Sequence, residues 1–349
     1  MFVGSGGRVI APSPPRAPPH APLIDPFARR IRYVRLSVTD RCDLRCVYCM
    51  AERMTFLPKT ELLSFEELDR LCAAFIDRGV SKIRVTGGEP LVRRDIPALI
   101  ETLGARIRPG GLEELTLTTN ATQLEAHAET IARASVKRIN VSVDSLDPAT
   151  FARVTRGGDL AKTLAGIDAA QSVGLAVKLN VVALKSENAD QLVDMTAWAH
   201  ARGLAITFIE VMPMGETGED RVDQFYPLTA VREALAESFA LVDLAKRTGG
   251  PARYVRAEET GGEIGFITPL THNFCEGCNR VRVDCTGKLY PCLGQEGVFD
   301  LRPALREGTQ ADLHAALDAA IAGKPKGHDF VIDRGRVQGP ARTMSATGG

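Results

Sequence analysis

Three cysteines, Cys42, Cys46 and Cys49, stand close together in a chain of 349 residues. Thiols grouped in this way, in a chain this large and expected to be cytoplasmic, point to metal or redox chemistry before disulfides. Their spacing narrows the chemistry. A four-iron cluster ordinarily takes four thiolates, so an isolated triad leaves one iron without a protein ligand. That iron can chelate the amino and carboxylate groups of S-adenosylmethionine, whose sulfonium releases a 5′-deoxyadenosyl radical on one-electron reduction. The competing reading is a four-coordinate zinc site completed from elsewhere. No obvious fourth ligand lies nearby, and Tyr48, between the last two cysteines, suits packing against a cofactor.

A second group comprises Cys275, Cys278, Cys285 and Cys292. Spacing alone leaves a zinc ribbon and a second iron–sulfur site both open. Cys72 stands apart among Leu68, Leu71, Phe75 and Ile76 and reads as a small core residue.

Such side chains need a scaffold. Short runs rich in Val, Ile, Leu and Thr predict strands at 31–38, 82–86, 114–118, 138–143, 175–183 and 205–211. Helical patterns fill the intervals at 95–103, 122–134, 160–172 and 188–201, and Ser64 with Glu67 forms a capping box for another that runs to Gly79. Six successive β–α units imply an α/β fold with a parallel sheet, an incomplete (β/α)6 TIM-like barrel across residues 23–225. Polar residues gather where the strands end: Gly87-Gly88-Glu89, Thr119-Asn120, Ser142 with Asp144, Asn180, and Glu210 with Met212. That edge is where α/β proteins build active sites. From 226 to 325 the pattern changes to a helix and short glycine-interrupted segments, the expectation for a small α+β domain carrying the second cysteine group. Residues 326–349 read as a polar tail ending in Gly348-Gly349, and the proline-rich residues 1–22 as disordered.

Lys plus Arg and Asp plus Glu each number 43, so no global field favours nucleic acid or a membrane, and any anion site must be built locally. No apolar run approaches the roughly 20 residues that span a bilayer. The expectation is a soluble cytoplasmic protein.

The segment Leu36–Met50, LSVTDRCDLRCVYCM, resembles the cluster loop of the radical SAM superfamily, and Thr86-Gly87-Gly88-Glu89-Pro90 resembles its glycine-rich loop. The run FCEGCNRVR with GKLYPCL, the opening LIDPFARRIRYVRLSVTDRC and FIEVMPMG together resemble the GTP 3′,8-cyclase family, whose members catalyse the first step of molybdenum-cofactor biosynthesis. The resemblance implies two 4Fe–4S clusters, on Cys42, Cys46 and Cys49 and on Cys275, Cys278 and Cys292, with Cys285 a departure from the family pattern. It implies abstraction of the ribose C3′ hydrogen of GTP by the deoxyadenosyl radical, attack on C8 of guanine, and reduction to (8S)-3′,8-cyclo-7,8-dihydroguanosine 5′-triphosphate.

By the same resemblance, Tyr48, Gly88, Ser142 and Met212 are expected around adenosylmethionine. Arg35, Arg84, Thr118, Lys178 and the turn Arg280, Val281 and Arg282 are expected to contact GTP. Buried strand arginines agree with this, since an unpaired guanidinium is costly and a triphosphate answers the cost; a salt bridge is the plainer reading. The terminal Gly348 and Gly349 are expected to reach the active site, although Thr347 stands where the family often has an aliphatic residue. A one-electron reductant of the flavodoxin or ferredoxin type, a downstream cyclic pyranopterin monophosphate synthase and a homodimer complete the implied partners. A peptide-modifying radical SAM enzyme shares both triads and the barrel; the strand arginines, the NRxR turn and the diglycine speak against it.

Overall fold

The computed structural model describes residues 20–348 apart from 219, 334 and 335; residues 1–19, most of the proline-rich segment, lie outside the described residues. His20 to Leu23 are tied down. The amides of His20 and Leu23 donate to the carbonyls of Asp77 and Arg78, and Arg78 Nε donates to Ala21 O.

The first half alternates as the sequence predicts: β1 (Tyr33–Ser37), α1 (Phe65–Asp77), β2 (Lys82–Thr86), α2 (Ile96–Gly104), β3 (Glu114–Thr119), α3 (Ala128–Arg133), β4 (Arg138–Ser142), α4 (Pro148–Thr155), α5 (Leu160–Ser172), β5 (Ala176–Ala183), α6 (Leu192–Ala201) and β6 (Ala205–Glu210). The capping box of α1 is present, with Ser64 Oγ accepting from Glu67 N and Glu67 reaching back to Ser64 N. Adjacent strands pair in parallel from β1 to β6. Their apolar faces meet the helices in one continuous core that includes Leu36, Phe75, Ile83, Leu117, Ile139 and Phe208. Helix α4 was not anticipated; Asp147 caps it and Pro148 opens it, which is the ordinary start signal.

The second half, expected as a small α+β domain beside the barrel, continues the same sheet at both edges. After α7 (Arg221–Gln224) and α8 (Leu228–Ala236) come β7 (Leu241–Leu244), β8 (Arg253–Ala257), β9 (Glu263–Ile267), β10 (Arg280–Val283), β11 (Lys288–Tyr290), β12 (Phe299–Asp300), α9 (Arg302–Arg306) and α10 (Gln310–Ala322). The sheet runs β12-β11-β10-β1-β2-β3-β4-β5-β6-β9-β8-β7, with β10 parallel to β1 and β9 parallel to β6. The physical reason is that a six-stranded parallel sheet leaves two open edges, each a row of unpaired backbone groups. The later chain covers both. Leu289, Leu305, Leu313 and Leu317 accordingly join the core built by the first half. The tail is ordered in part: β13 (Val331–Asp333) and β14 (Arg336–Gln338) form a hairpin, and α11 (Met344–Thr347) precedes Gly348.

Candidate active site

A cavity of about 1600 Å³, counting its open mouth, lies at the carboxyl ends of the parallel strands. Cys42, Cys46, Cys49, Tyr48, Gly88, Ser142 and Met212 line it, as do Arg35, Arg84, Thr118, Lys178, Arg280 and Arg282. Residues expected around adenosylmethionine and around GTP therefore share one space. Val281 does not; it is buried in the core on the opposite face of β10, as strand alternation requires.

The cysteine loop is held from several sides. Arg45 N and Val47 N donate to the carbonyls of Thr155 and Val154 at the end of α4, and Arg156 donates to the Met50 carbonyl. Gly88 N donates to Thr39 O and Glu89 N to Arg41 O. A Cβ on Gly88 would stand 2.9 Å from Asp40 O, and one on Gly87 2.8 Å from Thr39 O. These glycines thus let the strand-to-helix turn press against the cysteine loop, a constraint within the protein that precedes any contact with a ligand. Burial first of all pushes Cys42 up to about 12, Cys49 to about 11 and Cys46 well above the thiol range. Buried thiols of this kind ionise when an iron centre supplies the compensating charge. Tyr48 Oη donates to Asp144 Oδ2 at 2.6 Å, and burial raises Asp144 to about 6 even though that bond and the Val182 amide favour its carboxylate.

The cation row follows from register. Arg282, Arg35, Arg84 and Thr116 lie side by side across β10, β1, β2 and β3, and Arg280, Tyr33, Lys82 and Glu114 form the rung below. Lys178 projects from β5 into the same cavity. Among the described residues, Arg84 Nε, Thr118 Oγ1 and Tyr33 Oη are buried without a hydrogen-bond partner. Glu114 is the carboxylate of this region, and Lys82 (2.7 Å) and Arg138 (2.7 Å) share it. Burial and then the charges of Arg84, Arg138 and Lys82 lower Lys178 to about 7. Arg35 falls to about 9 for like reasons, burial leading, with Arg84 and Arg280 adding to it. Burial would raise the Tyr33 hydroxyl, but Arg84, Arg35, Arg280 and Lys82 outweigh it and bring it down to about 8. Cations crowded until they disturb one another make a site for a polyanion.

Cys275, Cys278 and Cys292 gather beside this row. Phe274, Arg280 and Leu293 from their flanks line the main cavity, and Cys278 lines an adjoining one. Cys292 senses the charges of both Cys278 and Cys275. Among the described residues no three His, Cys, Asp or Glu side chains converge as around a single ion. A 4Fe–4S cluster takes its thiolates on separate irons, and the thiol donor set of each triad fits that group. Cys285 is elsewhere: it is buried, its charged neighbours are Asp284, Asp40 and Arg93, and its carbonyl accepts from Leu63 N at 2.8 Å.

The tail returns to the cavity. Met344 lines it, and Ser345 lies close enough to the Cys49 thiol to favour its ionised form. Arg282 Nη1 donates to the carbonyls of Gly348 and Thr347. Gly348 has a φ of 76°, and a Cβ there would overlap Thr86 Oγ1, so only glycine fits. Thr347 is fully buried, with its hydroxyl 3.5 Å from Met344 O. Gly349 lies outside the described residues.

Sequence reasoning placed Asp144 and Asn180 at the active edge without giving them a role, and missed Tyr33 and Lys82 as cavity residues. Strand periodicity could have found these last two, since they stand two residues before Arg35 and Arg84 on the same face.

Two family models cover most of the chain: the radical SAM superfamily over residues 36–199 and Molybdenum Cofactor Synthesis C over residues 204–330. A protein of Rhodopseudomonas palustris named GTP 3′,8-cyclase is 58% identical over 331 residues, 94% of this chain and 96% of that protein. One of Rhizobium etli with the same name is 59% identical over 346 residues, 98% of this chain and 99% of its own. Among solved structures, Streptococcus suis SuiB bound to S-adenosylmethionine has a TM-score of 0.60 at 18% identity, over 84% of this chain and 68% of that one, a likeness of fold alone. Identity of this extent across nearly the whole length, together with the cavity just described, places the chain in the GTP 3′,8-cyclase family of the radical SAM superfamily.

Proposed function

We propose that Arg35, Arg84, Lys178, Arg280 and Arg282 receive the triphosphate of GTP, with Thr118 as a further donor, and that the first triad and its neighbours set adenosylmethionine at the far end of the cavity. The activity is that of a radical SAM GTP 3′,8-cyclase of molybdenum-cofactor biosynthesis. The observation that carries the assignment of residues is the sharing of one cavity by the first triad and the cation row.

Bound clusters and adenosylmethionine supply the one-electron chemistry; the side chains do the rest. Tyr48, fixed by Asp144, and Ser142, Gly88 and Met212 bound the space next to Cys42, Cys46 and Cys49. Cys275, Cys278 and Cys292 hold the second cluster at the edge of the row, where the base of a triphosphate anchored on the arginines would reach it. Gly348, held by Arg282 against Thr86, both of which line the cavity, would bring the tail close enough to confine the ribose while it reacts. A flavodoxin- or ferredoxin-type donor, a cytoplasmic location, a homodimer and delivery of product to cyclic pyranopterin monophosphate synthase belong to the same reading. No described helix is long and apolar enough to cross a membrane.

Anaerobic incubation of the reconstituted chain with GTP, adenosylmethionine and dithionite tests it. Cyclised nucleotide should appear with 5′-deoxyadenosine. Deoxyadenosine formed while GTP is left unchanged would overturn the reading.

A further inference from the structure

Three cations attend the second cysteine triad, one at each cysteine. Arg29 Nη1 donates to Cys275 O at 2.7 Å and also to Lys326 O, while its Nη2 donates to Pro325 O. Arg342 Nη2 donates to the carbonyls of Cys292 (3.3 Å), Leu293 (2.6 Å) and Gln295 (2.7 Å). These two act on backbone. Lys324 differs, because its ammonium reaches a sulfur: Nζ lies 3.6 Å from Cys278 Sγ, 2.9 Å from Arg280 O and 2.5 Å from Pro291 O.

The residue is 3% exposed. An ammonium has three donors, and all three are used here, two on the carbonyls that flank Cys278 and Cys292 and one on the thiol itself. Among the described residues the charges acting on it are the sulfurs of Cys278 and Cys292, which favour the ammonium, and Arg29 and Arg280, which oppose it. A lysine buried in this way without a carboxylate would be costly if its partners were neutral. Thiolates carrying a cluster answer that cost. Conversely, a hydrogen bond from a cation to a ligating sulfur draws charge off the cluster and favours its reduced form.

We propose that Lys324 is a positioning residue that sets the reduction potential of the second cluster through the Cys278 sulfur, while its two carbonyl contacts hold the turn at Cys278 against the strand end at Cys292. This rests on the assignment of Cys275, Cys278 and Cys292 as cluster ligands. Lys324 lines neither the main cavity nor the adjoining one; it would act on the electron affinity of the centre and not on the substrate. Removing its charge leaves the cluster harder to reduce, and returning a charge restores part of the effect.

The experiment uses the full chain, reconstituted without oxygen, with Cys42, Cys46 and Cys49 changed to Ala so that iron and spectra report the second cluster alone. Loss of all iron in this background would overturn the ligand assignment itself, before Lys324 is considered. With the cluster present, a titration followed by electron paramagnetic resonance compares Lys324→Gln, which keeps a neutral donor, Lys324→Met, which keeps none, and Lys324→Arg. The Gln and Met variants should hold less reduced cluster at a fixed applied potential by about tenfold, about 59 mV for one electron. Lys324→Arg should fall between them and the parent. An unchanged potential in any neutral variant that retains its iron would overturn the proposal. So would loss of iron from the Gln and Arg variants together, which would make Lys324 a structural post and nothing more.

Discussion

Replacing Arg84 by Met removes from the middle of the cation row a guanidinium whose carbon lies 5.6 Å from the Tyr33 ring, and keeps an unbranched apolar stem of similar length. If Arg84 binds phosphate, the loss is one charge-assisted contact, about 1.5–3 kcal/mol, which is roughly 10–150-fold in the dissociation constant. The structure adds a second readout. Arg84 is the leading charge holding the Tyr33 hydroxyl down at about 8 and the leading charge depressing Lys178 to about 7. Without it both groups should titrate higher in the nucleotide-free protein. The assay is equilibrium binding under anaerobic conditions to protein with both clusters in place, using GTP, GMP and guanosine in parallel. Affinity for GTP should drop within the stated range, affinity for guanosine should barely move, and ultraviolet titration should show a tyrosine moving upward. An equal loss for guanosine would mean that the substitution damages the cavity generally. Unchanged GTP affinity in a folded, cluster-bearing variant would refute the clamp.

Cysteine substitutions separate the two triads. Cys275→Ser, Cys278→Ser or Cys292→Ser should lower iron from about eight to about four per chain and stop cyclisation while adenosylmethionine cleavage continues; Cys285→Ser should keep all the iron, and elemental analysis decides. GTP binding should strengthen as pH falls from the ordinary lysine range towards 7. The bound anion raises Lys178 above its free value of about 7, so binding takes up a proton, by at most about tenfold in affinity per pH unit. Calorimetry in buffers of different ionisation enthalpy measures that proton, and Lys178→Met should abolish its uptake. Deleting Gly348-Gly349 strips Arg282 of the Gly348 carbonyl and should sharply lower the ratio of cyclised nucleotide to 5′-deoxyadenosine, with fold, clusters and GTP binding near normal; an unchanged ratio at an unchanged rate would remove the tail from catalysis.

The first half of the fold was legible because each strand is a short β-branched run with a clear stop, and its limits agree with the structure to within a few residues from β1 to β6. Helix α4 escaped because Pro148–Thr155 is short and has few apolar residues to mark a period. How the second half joins the first was hidden for a different reason. Sequence reports only short, glycine-interrupted segments there, and nothing in them says that β9 and β10 pair with β6 and β1, far back in the chain. Pairing of that sort depends on which edges remain open after the first six strands have assembled. The tail was harder still, since polarity and two glycines look like fraying. Its placement depends on Arg282 and Cys49, whose positions exist only once the sheet is complete.

The charge balance explains why so many costly features occur together. Lys178, Arg35 and Arg282 are all held below their ordinary values, burial first and the charge of neighbouring cations after it. Thiols across the cavity are pushed in the opposite sense, up towards their neutral forms. The cations alone weaken the fold, because a charge kept from water without a partner works against burial, while the thiols, neutral there, resist only ionisation. Anionic clusters beside the thiols and a polyphosphate on the cations would relieve both. The empty-handed chain therefore spends folding free energy on a site whose compensation arrives with its ligands, and binding to the native state alone returns it. Neutralising a cation such as Arg84 should for that reason cost affinity without costing the free protein its stability. A residue that held the sheet together would show the reverse.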